Sequence, residues 1–423
     1  MSKIVSGFSK FSKNEKIDWL TNNFTLSGNK SRKILAQYLN VDKTLQQLHD
    51  DFIENTISNF YMPYGIAPNF IINSKEYAIP MAIEESSVVA AASLVAKFWS
   101  DKGGFKAEVL NTVKVGQVHF MYKGTPLELK DYFKNKKEQL LKITDPITKN
   151  MRKRGGGILE IELRDKTLEL ADYYQLHVTF ETKDSMGANF INSCLEAIAE
   201  EFKKGDIQIV MSILSNYVPN CVVKAEVSCE VEKLHPTNGA LFAEKMEQAV
   251  AIANVEPHRA VTHNKGVMNG IDAVVIATGN DFRAIEAGVH AYASKSGKYK
   301  SLTTCNVKEG IFTFSIEVPL ALGTVGGLTS THPLSKLSLE ILDQPSAKEL
   351  MQIIAVAGLA QNYAALRALT TTGIQEGHMK MHLVNILNQL QATQEEKIIV
   401  TKALKGKVVS FSGVADVLKE IRA

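Results

Sequence analysis

With 423 residues, the chain is long enough for two domains or for one large domain carrying an insertion. Its 48 basic and 45 acidic residues leave a formal net charge of +3, a near balance that gives no support to nucleic-acid binding. The 4 cysteines form no C-x-x-C pair and read as free thiols in a reducing cytoplasm; with no secretory leader and no apolar run of roughly 18 residues, the expectation is a soluble, cytoplasmic protein with no membrane partner.

Residues 13–52 carry Leu35, Leu39, Leu45 and Leu48 at helical spacings and read as helical. Residues 53–72 mix β-branched and aromatic side chains with Pro63, Gly65 and Pro68, the pattern of extended, turn-rich chain. Residues 85–99 read as a buried helix, apolar around nearly the whole circumference, with Ser86 and Ser87 placed to cap its first turn. Alternation over 105–122 reads as a strand, 126–141 as a polar helix and Gly155-Gly156-Gly157 as a turn. Strands over 158–163 and 173–180, a helix over 188–202 and a strand over 207–213 follow. This β-α-β-β-α-β order fits a ferredoxin-like unit, inserted over residues 107–219. From Val222 the chain resumes with strands, a helix over 238–253 and a long apolar helix over 347–371. Gly373 and Gly377 then lead into one or two amphipathic helices. The fold class is therefore α+β, and no internal repeat is seen.

Two stretches carry the chemistry. One runs from Glu256 to Ser296 and gathers Arg259, Lys265 and Asp281 among glycines, amides and imidazoles, in a segment too apolar for a solvated loop. The other, P-M-A-I-E-E-S-S at Pro80, sets Glu84 and Glu85 against an apolar run. Adjacent carboxylates beside a helix are stabilised by its N-terminus, or have one proton affinity raised to make a donor at neutral pH. Lys265, in H-N-K-G, pairs with an acid or meets an anion, and its glycines permit close approach of a ligand. Asp281 can be the partner or simply the cap of a helix over 282–293. Arg259 reads either as a surface salt bridge or as a bidentate clamp for a carboxylate. An ammonium, a proton donor and a carboxylate are the parts needed to stabilise a developing alkoxide.

Asp184-Ser185-Met186-Gly187-Ala188-Asn189 opens a helix straight after a strand, a place where backbone amides bind phosphate. No G-x-G-x-x-G stands in a strand–turn–helix context, so a Rossmann domain is not indicated. G-T-V-G-G at Gly323 reads as a tight loop. His378 and His382 share a helical face at metal-ligand spacing, but no Glu stands between them and no third ligand is near, so no metal is expected. His378 is the better acid or base.

Taken together these residues resemble the bacterial (second) class of 3-hydroxy-3-methylglutaryl-CoA reductases. The shared motifs are E-N-T-I at Glu54, P-M-A-I-E-E at Pro80, D-S-M-G-A-N at Asp184 and S-N at Ser215. H-N-K-G-V-M-N-G-I-D at His263, A-T-G-N-D at Ala277, V-G-G at Val325, A-Q-N at Ala360 and G-H-M at Gly377 follow in the family's order. The resemblance implies a homodimer with its site at the subunit interface. It implies a large CoA-binding domain (1–106 and 220–374), a small nicotinamide-binding domain (107–219) and a mobile C-terminal flap (375–423). The activity implied is four-electron reduction of the thioester to mevalonate with two NAD(P)H, or the reverse oxidation with NAD. By resemblance Lys265 holds the thioester oxygen, Glu85 is the proton donor, Asp281 hydrogen-bonds with both, and His378 protonates the CoA thiolate. Arg259, Asn269 and Asn216 match substrate contacts, Gln361 a position near the CoA end, and Met186, Gly187 and Asn189, with Asp184, the dinucleotide site. Thr148 aligns where NAD-preferring members place an acid, and Lys149, Arg152 and Lys153 are near, so NADPH is expected rather than NADH. Ser58 and Asn59 depart from the family's usual glycine and threonine, and Ser185 from its alanine. A non-catalytic CoA-binding homologue would lack one of the four catalytic residues. An acyl-CoA transferase or thioesterase would need a nucleophile motif that is absent.

Overall fold

The computed structural model describes residues 3–203, 205–371, 383–384, 386–404 and 409–422. The chain divides into two compact units, Met1–Pro63 and Tyr64–Ala423.

In the first unit, the helical stretch expected over 13–52 is three short helices: α1 (Lys13–Phe24), α2 (Gly28–Gln37) and α3 (Lys43–Asp50). Side chains that compete with helical backbone cut it. Ser12 and Glu15 form a capping box ahead of α1. Thr25 and Ser27 are extended, and Asp42 accepts from the amides of Thr44 and Leu45 to start α3. Lys13 ties α1 to Asp50 at 2.7 Å. The two unusual residues after E-N-T-I serve this unit: Ser58 Oγ donates to Leu35 O at 2.7 Å, and Asn59 Nδ2 donates to Gln46 Oε1 at 2.8 Å.

The second unit opens with β1 (Tyr64–Ile72) and β2 (Lys75–Ala82). They form an antiparallel pair turned at Asn73 and Ser74, both left-handed. Behind them runs α4 (Val88–Ser100), with Val88, Ala92, Val95, Ala96 and Trp99 buried. The alternation read as one strand over 105–122 is two strands in different sheets. The first is β3 (Lys106–Val109) and the second β4 (Lys114–Met121). Next come α5 (Pro126–Ile143), which Thr125 and Glu128 cap as a box, and α6 (Asp145–Lys153), a helix the turn-rich sequence before the three glycines did not announce. They lead to β5 (Gly157–Asp165), β6 (Tyr173–Glu181), α7 (Ala188–Phe202) and β7 (Gln208–Ser215). The sheet order β5-β6-β4-β7, all antiparallel, is that of a ferredoxin-like unit. Phe120, Phe180, Phe202, Leu129 and Leu140 fill its core.

The chain then enters a second antiparallel sheet of order β3-β8-β10-β9. It is built from β8 (Val222–Glu230), then α8 (Gly239–Val255), α9 (Pro257–Ala277) and α10 (Phe282–Ala293), then β9 (Thr303–Lys308) and β10 (Ile311–Pro319). Two short helices, α11 (Leu328–Thr331) and α12 (Pro333–Ile341), precede the 24-residue α13 (Ala347–Thr370). This α13 is buried through most of its length, and its Tyr363 stacks among Trp99, Phe98, Phe242 and Phe314. Each fully buried aromatic or aliphatic side chain here contributes about 1.5–3 kcal/mol. At the C-terminus, α14 (Gln394–Ala403) and α15 (Phe411–Arg422) close a separate apolar cluster of Leu387, Val400, Val414 and Leu418. No helix of the described residues is long and apolar enough to cross a membrane.

Candidate active site

The Lys265 motif is helical. Pro257 at the first turn and Glu256, whose carboxylate accepts from Arg259 N at 2.6 Å, start α9. Of its two glycines, Gly270 serves helix packing, whereas a Cβ on Gly266 would meet nothing closer than 3.7 Å. A Cβ on Gly270 would lie 2.3 Å from the Ala357 carbonyl oxygen of α13, so only a bare Cα lets the helices meet. One face of α9 is pinned by buried polar contacts. His263 Nε2 meets Thr303 Oγ1 at 2.6 Å, Asn264 Nδ2 donates to Lys300 O at 2.8 Å, and Asn362 Nδ2 donates to His263 O at 3.0 Å. Burial, with the positive charge of Arg259 behind it, pushes His263 down to about 3, so it is neutral there.

The stripe carrying Lys265, Asn269 and Asp272, at i, i+4 and i+7, is presented elsewhere. The loop between β2 and α4 brings Glu85 to it. Lys265 Nζ donates to Glu85 Oε2 at 2.6 Å, and Asn269 Nδ2 donates to the same oxygen at 3.3 Å. The Lys265 side chain is 60% exposed and that of Glu85 33%, so both can be reached from solution. Pro80, Met81 and Ala82 of β2 are buried, which fixes the root of the loop. The cap expected from Ser86 or Ser87 is not made: Ser87 starts α4 without a side-chain bond.

Asp281 takes the cap reading rather than that of a partner to Lys265. Its carboxylate caps α10, accepting from the amides of Arg283 and Ala284, and pairs with the Arg283 guanidinium at 3.0 Å. It makes no hydrogen bond to Lys265 or Glu85; the cap and the adjacent arginine take its oxygens first. It does line a cleft of about 620 Å³, together with Met186, Gly187, Asn189, Arg154, Arg283 and the loop Gly323–Thr329.

That cleft carries open helix amides and the guanidinium groups of Arg154 and Arg283, a set that can hold phosphate. The N-terminus of α7 opens on it, begun by Gly187 at φ +89° with no side chain capping the free amides. Asp184 Oδ1 accepts from Ala347 N at 2.8 Å, next to the Ser346–Glu349 capping box that starts α13. Lys114, buried beneath the turn, donates to Ser185 O at 2.8 Å and to Thr182 Oγ1. The basic segment also differs from expectation. Thr148 is buried, and its hydroxyl donates to Thr144 O at 2.9 Å. Arg152 is turned to Asp145 at 2.8 Å, and Lys149, like both of them, is not part of the cleft wall. Two cations line it among the described residues, Arg154, directly before the glycines, and Arg283, and reading the sequence singled out neither. A basic side chain two residues beyond Asp281 was the available signal for Arg283.

Asn216 is exposed, and its carbonyl packs on Gly288 of α10. Gln361 is buried at the α9–α13 contact, and its Oε1 has no hydrogen-bond partner among the described residues. Arg259 is half-buried and makes no ion pair among the described residues. His378 and His382 lie outside the described residues.

The profile of the family described as Hydroxymethylglutaryl-coenzyme A reductase matches residues 13–383. The 3-hydroxy-3-methylglutaryl-coenzyme A reductase of Archaeoglobus fulgidus is 38% identical over 432 residues, covering 100% of this chain and 96% of that one. A probable reductase of the same name from Borreliella burgdorferi is 35% identical, covering 88% of each chain. Among solved structures, the class II 3-hydroxy-3-methylglutaryl-CoA reductase of Streptococcus pneumoniae bound to NADPH matches with a TM-score of 0.74 at 36% identity, over 87% of this chain and 100% of that one.

Proposed function

Because the chain belongs to the hydroxymethylglutaryl-coenzyme A reductase family, we infer that it reduces 3-hydroxy-3-methylglutaryl-CoA to mevalonate and free CoA, on the mevalonate route to isoprenoids. The observation that carries this reading is the meeting of Lys265, Glu85 and Asn269 on one carboxylate oxygen. Each mevalonate formed takes up two hydrides and two protons. A bound nicotinamide cofactor supplies the hydrides. Everything else falls to side chains. The Lys265 ammonium donates to the thioester oxygen as negative charge grows there. Glu85, held by Lys265 and Asn269, gives a proton to the carbonyl oxygen at the aldehyde stage. Arg259, half-buried without an ion pair among the described residues, suits the free carboxylate of the substrate. His378 is the donor that the resemblance assigns to the departing thiolate. Asp281 acts through Arg283 and the α10 N-terminus at the cleft wall.

The open amides of α7 and the guanidinium groups of Arg154 and Arg283 suit the phosphates of a dinucleotide. No carboxylate of residues 145–154 lines the cleft among the described residues, which favours NADPH over NADH. The Streptococcus pneumoniae relative was solved with NADPH. The reductive direction is accordingly favoured over oxidative acylation of mevalonate. The reading includes a cytoplasmic homodimer. Exposed Leu241, Ile252 and Val255 on α8 and Val261 on α9 give a second copy an apolar face to cover. It also includes the division into residues 1–106 with 220–374, 107–219 and 375–423.

The test is oxidation of NADPH or NADH by the purified protein with 3-hydroxy-3-methylglutaryl-CoA. Two NADPH consumed per CoA released are expected. Arg154→Gln should lower kcat/KM for NADPH by roughly 10- to 100-fold, the worth of a charged hydrogen bond, and for NADH far less. Equal losses with both cofactors would remove Arg154 from 2′-phosphate recognition. No oxidation of either by folded dimer would overturn the activity.

A further inference from the structure

Lys114 is the first residue of β4, opposite Phe180 of β6, and its side chain is buried under the turn that leads from Thr182 to Gly187. Among the described residues its ammonium forms no ion pair. It donates to two neutral oxygens, Ser185 O at 2.8 Å and Thr182 Oγ1, and the carboxylates of Glu181 and Asp184 act on it only through their charge. The buried Thr182 hydroxyl donates in turn to Ser185 O at 2.6 Å, and Ser185 N donates to Thr182 O at 3.1 Å. Thr182 packs so closely on Gly187 that a Cβ there would lie 2.5 Å from Thr182 Cγ2. Taking an ammonium out of water is costly, and a methionine would fill the space without that cost. Stability alone therefore does not explain a lysine at this position. The turn it holds is part of the cleft: residues 185–189 line it. The opposite wall leans on the same turn. Thr324 N donates to Asp184 O at 2.8 Å, and a Cβ on Gly323 would lie 2.5 Å from Met186 N. Lys114 itself is not on the cleft wall.

We propose that Lys114 is a positioning residue for the nicotinamide cofactor: tethered to Ser185 O and Thr182 Oγ1, its ammonium holds the turn in the shape that opens the α7 amides to the cleft. The inference deepens the dinucleotide reading given above and rests on it. A peptide unit is planar and trans, so an oxygen held toward Lys114 turns the Met186 N–H the opposite way, off the buried side. Without the ammonium, Ser185 O keeps only the Thr182 hydroxyl. The turn is then free to rotate, and an arriving dinucleotide has to order it, which lowers affinity. Lys114 touches neither cofactor nor substrate, so a cofactor once bound reacts as before.

The experiment titrates NADPH and, separately, NADH into the full chain by their fluorescence, and follows steady-state rates, in the parent, Lys114→Met, Thr182→Val and Thr182→Ser. Lys114→Met should raise Kd and KM for both cofactors by roughly 10- to 100-fold, the worth of a charged hydrogen bond. KM for 3-hydroxy-3-methylglutaryl-CoA, and kcat with cofactor saturating, should stay within about twofold of the parent. Thr182→Val keeps the shape and deletes the hydroxyl, so cofactor affinity should fall by roughly 5- to 10-fold; Thr182→Ser restores the hydroxyl and should bring it back. A merely structural lysine would leave cofactor affinity of the folded variant unchanged, or shift the KM values of cofactor and thioester together, and either result overturns the proposal. Should Lys114→Met fail to fold, the Thr182 pair decides, and equal affinities in Val and Ser overturn it. Binding is read without turnover. A chain whose cofactor affinity depends on Lys114 in this way yet reduces nothing would overturn the activity and support the tether, whereas a folded parent that binds neither cofactor overturns both.

Discussion

Lys265 spends its resting state on Glu85, and Asn269 shares the same carboxylate oxygen at 3.3 Å. On the proposed reading, a substrate oxygen arriving there meets a donor already held in place, so little reorganisation remains for the transition state. Lys265→Ala should lower kcat by roughly 10²–10³, about 2.7–4 kcal/mol of barrier, with KM for the thioester changed little. Steady-state rates check this, and a loss below about tenfold would show that the oxyanion is stabilised elsewhere. Glu85→Gln keeps the contact with Lys265 and removes the titratable proton, so it separates positioning from proton transfer. Residue types alone offered Asp281 as the partner of Lys265; the structure gives it Glu85 instead. The bond from Asp281 was not obtained, because capping amides lie within reach of any Asp that starts a helix.

At the scale of elements, the site depends on how closely α9 can approach α13. Gly270 meets the Ala357 carbonyl, and Gly358 of α13 meets Ile271 in return. Gly270→Ala would raise helix propensity by about 1 kcal/mol. Its Cβ would nevertheless lie 2.3 Å from Ala357 O and 2.9 Å from Gln361 Cβ. Because a backbone carbonyl cannot swing aside, the helices must part, and overpacking of this kind costs about 1–3 kcal/mol. A lower urea midpoint together with a reduced kcat is the expected outcome. A midpoint at or above that of the parent would mean that the seam yields without cost. The small sheet was legible for a different reason. Its strands alternate and its α7 follows a strand directly, so periodicity reports them. By contrast, α6 is a polar nine-residue helix with only Thr148 and Met151 buried, too little apolar pattern to announce itself.

Over the whole molecule, a neutral imidazole buried between α9 and β9 links stability to pH. His263 stays unprotonated in the folded state down to about 3, against an ordinary value of 6.5. Above 6.5 both folded and unfolded chains hold it neutral, so its contribution is complete there. Below 6.5 only the unfolded chain takes the proton, and stability falls by up to about 1.4 kcal/mol per pH unit from this group. Urea titrations of the parent and His263→Gln at pH values on both sides of 6.5 check the sign. The parent should lose more stability on acidification than the variant, and parallel losses would show that His263 is not the linked group.

Residue order alone carried the family motifs and the α+β class, because these depend on side-chain type and on periods of two and 3.6. Folding alone decided which cation faces the cleft. Arg152 and Arg154 are two positions apart on the same segment. The turn of α6 sends Arg152 to Asp145 and leaves Arg154 on the cleft wall. Folding also brought Asp184 Oδ1 to the amide of Ala347 in the first turn of α13, 163 positions away. Contacts between distant segments are fixed by packing direction and burial, which no local pattern encodes.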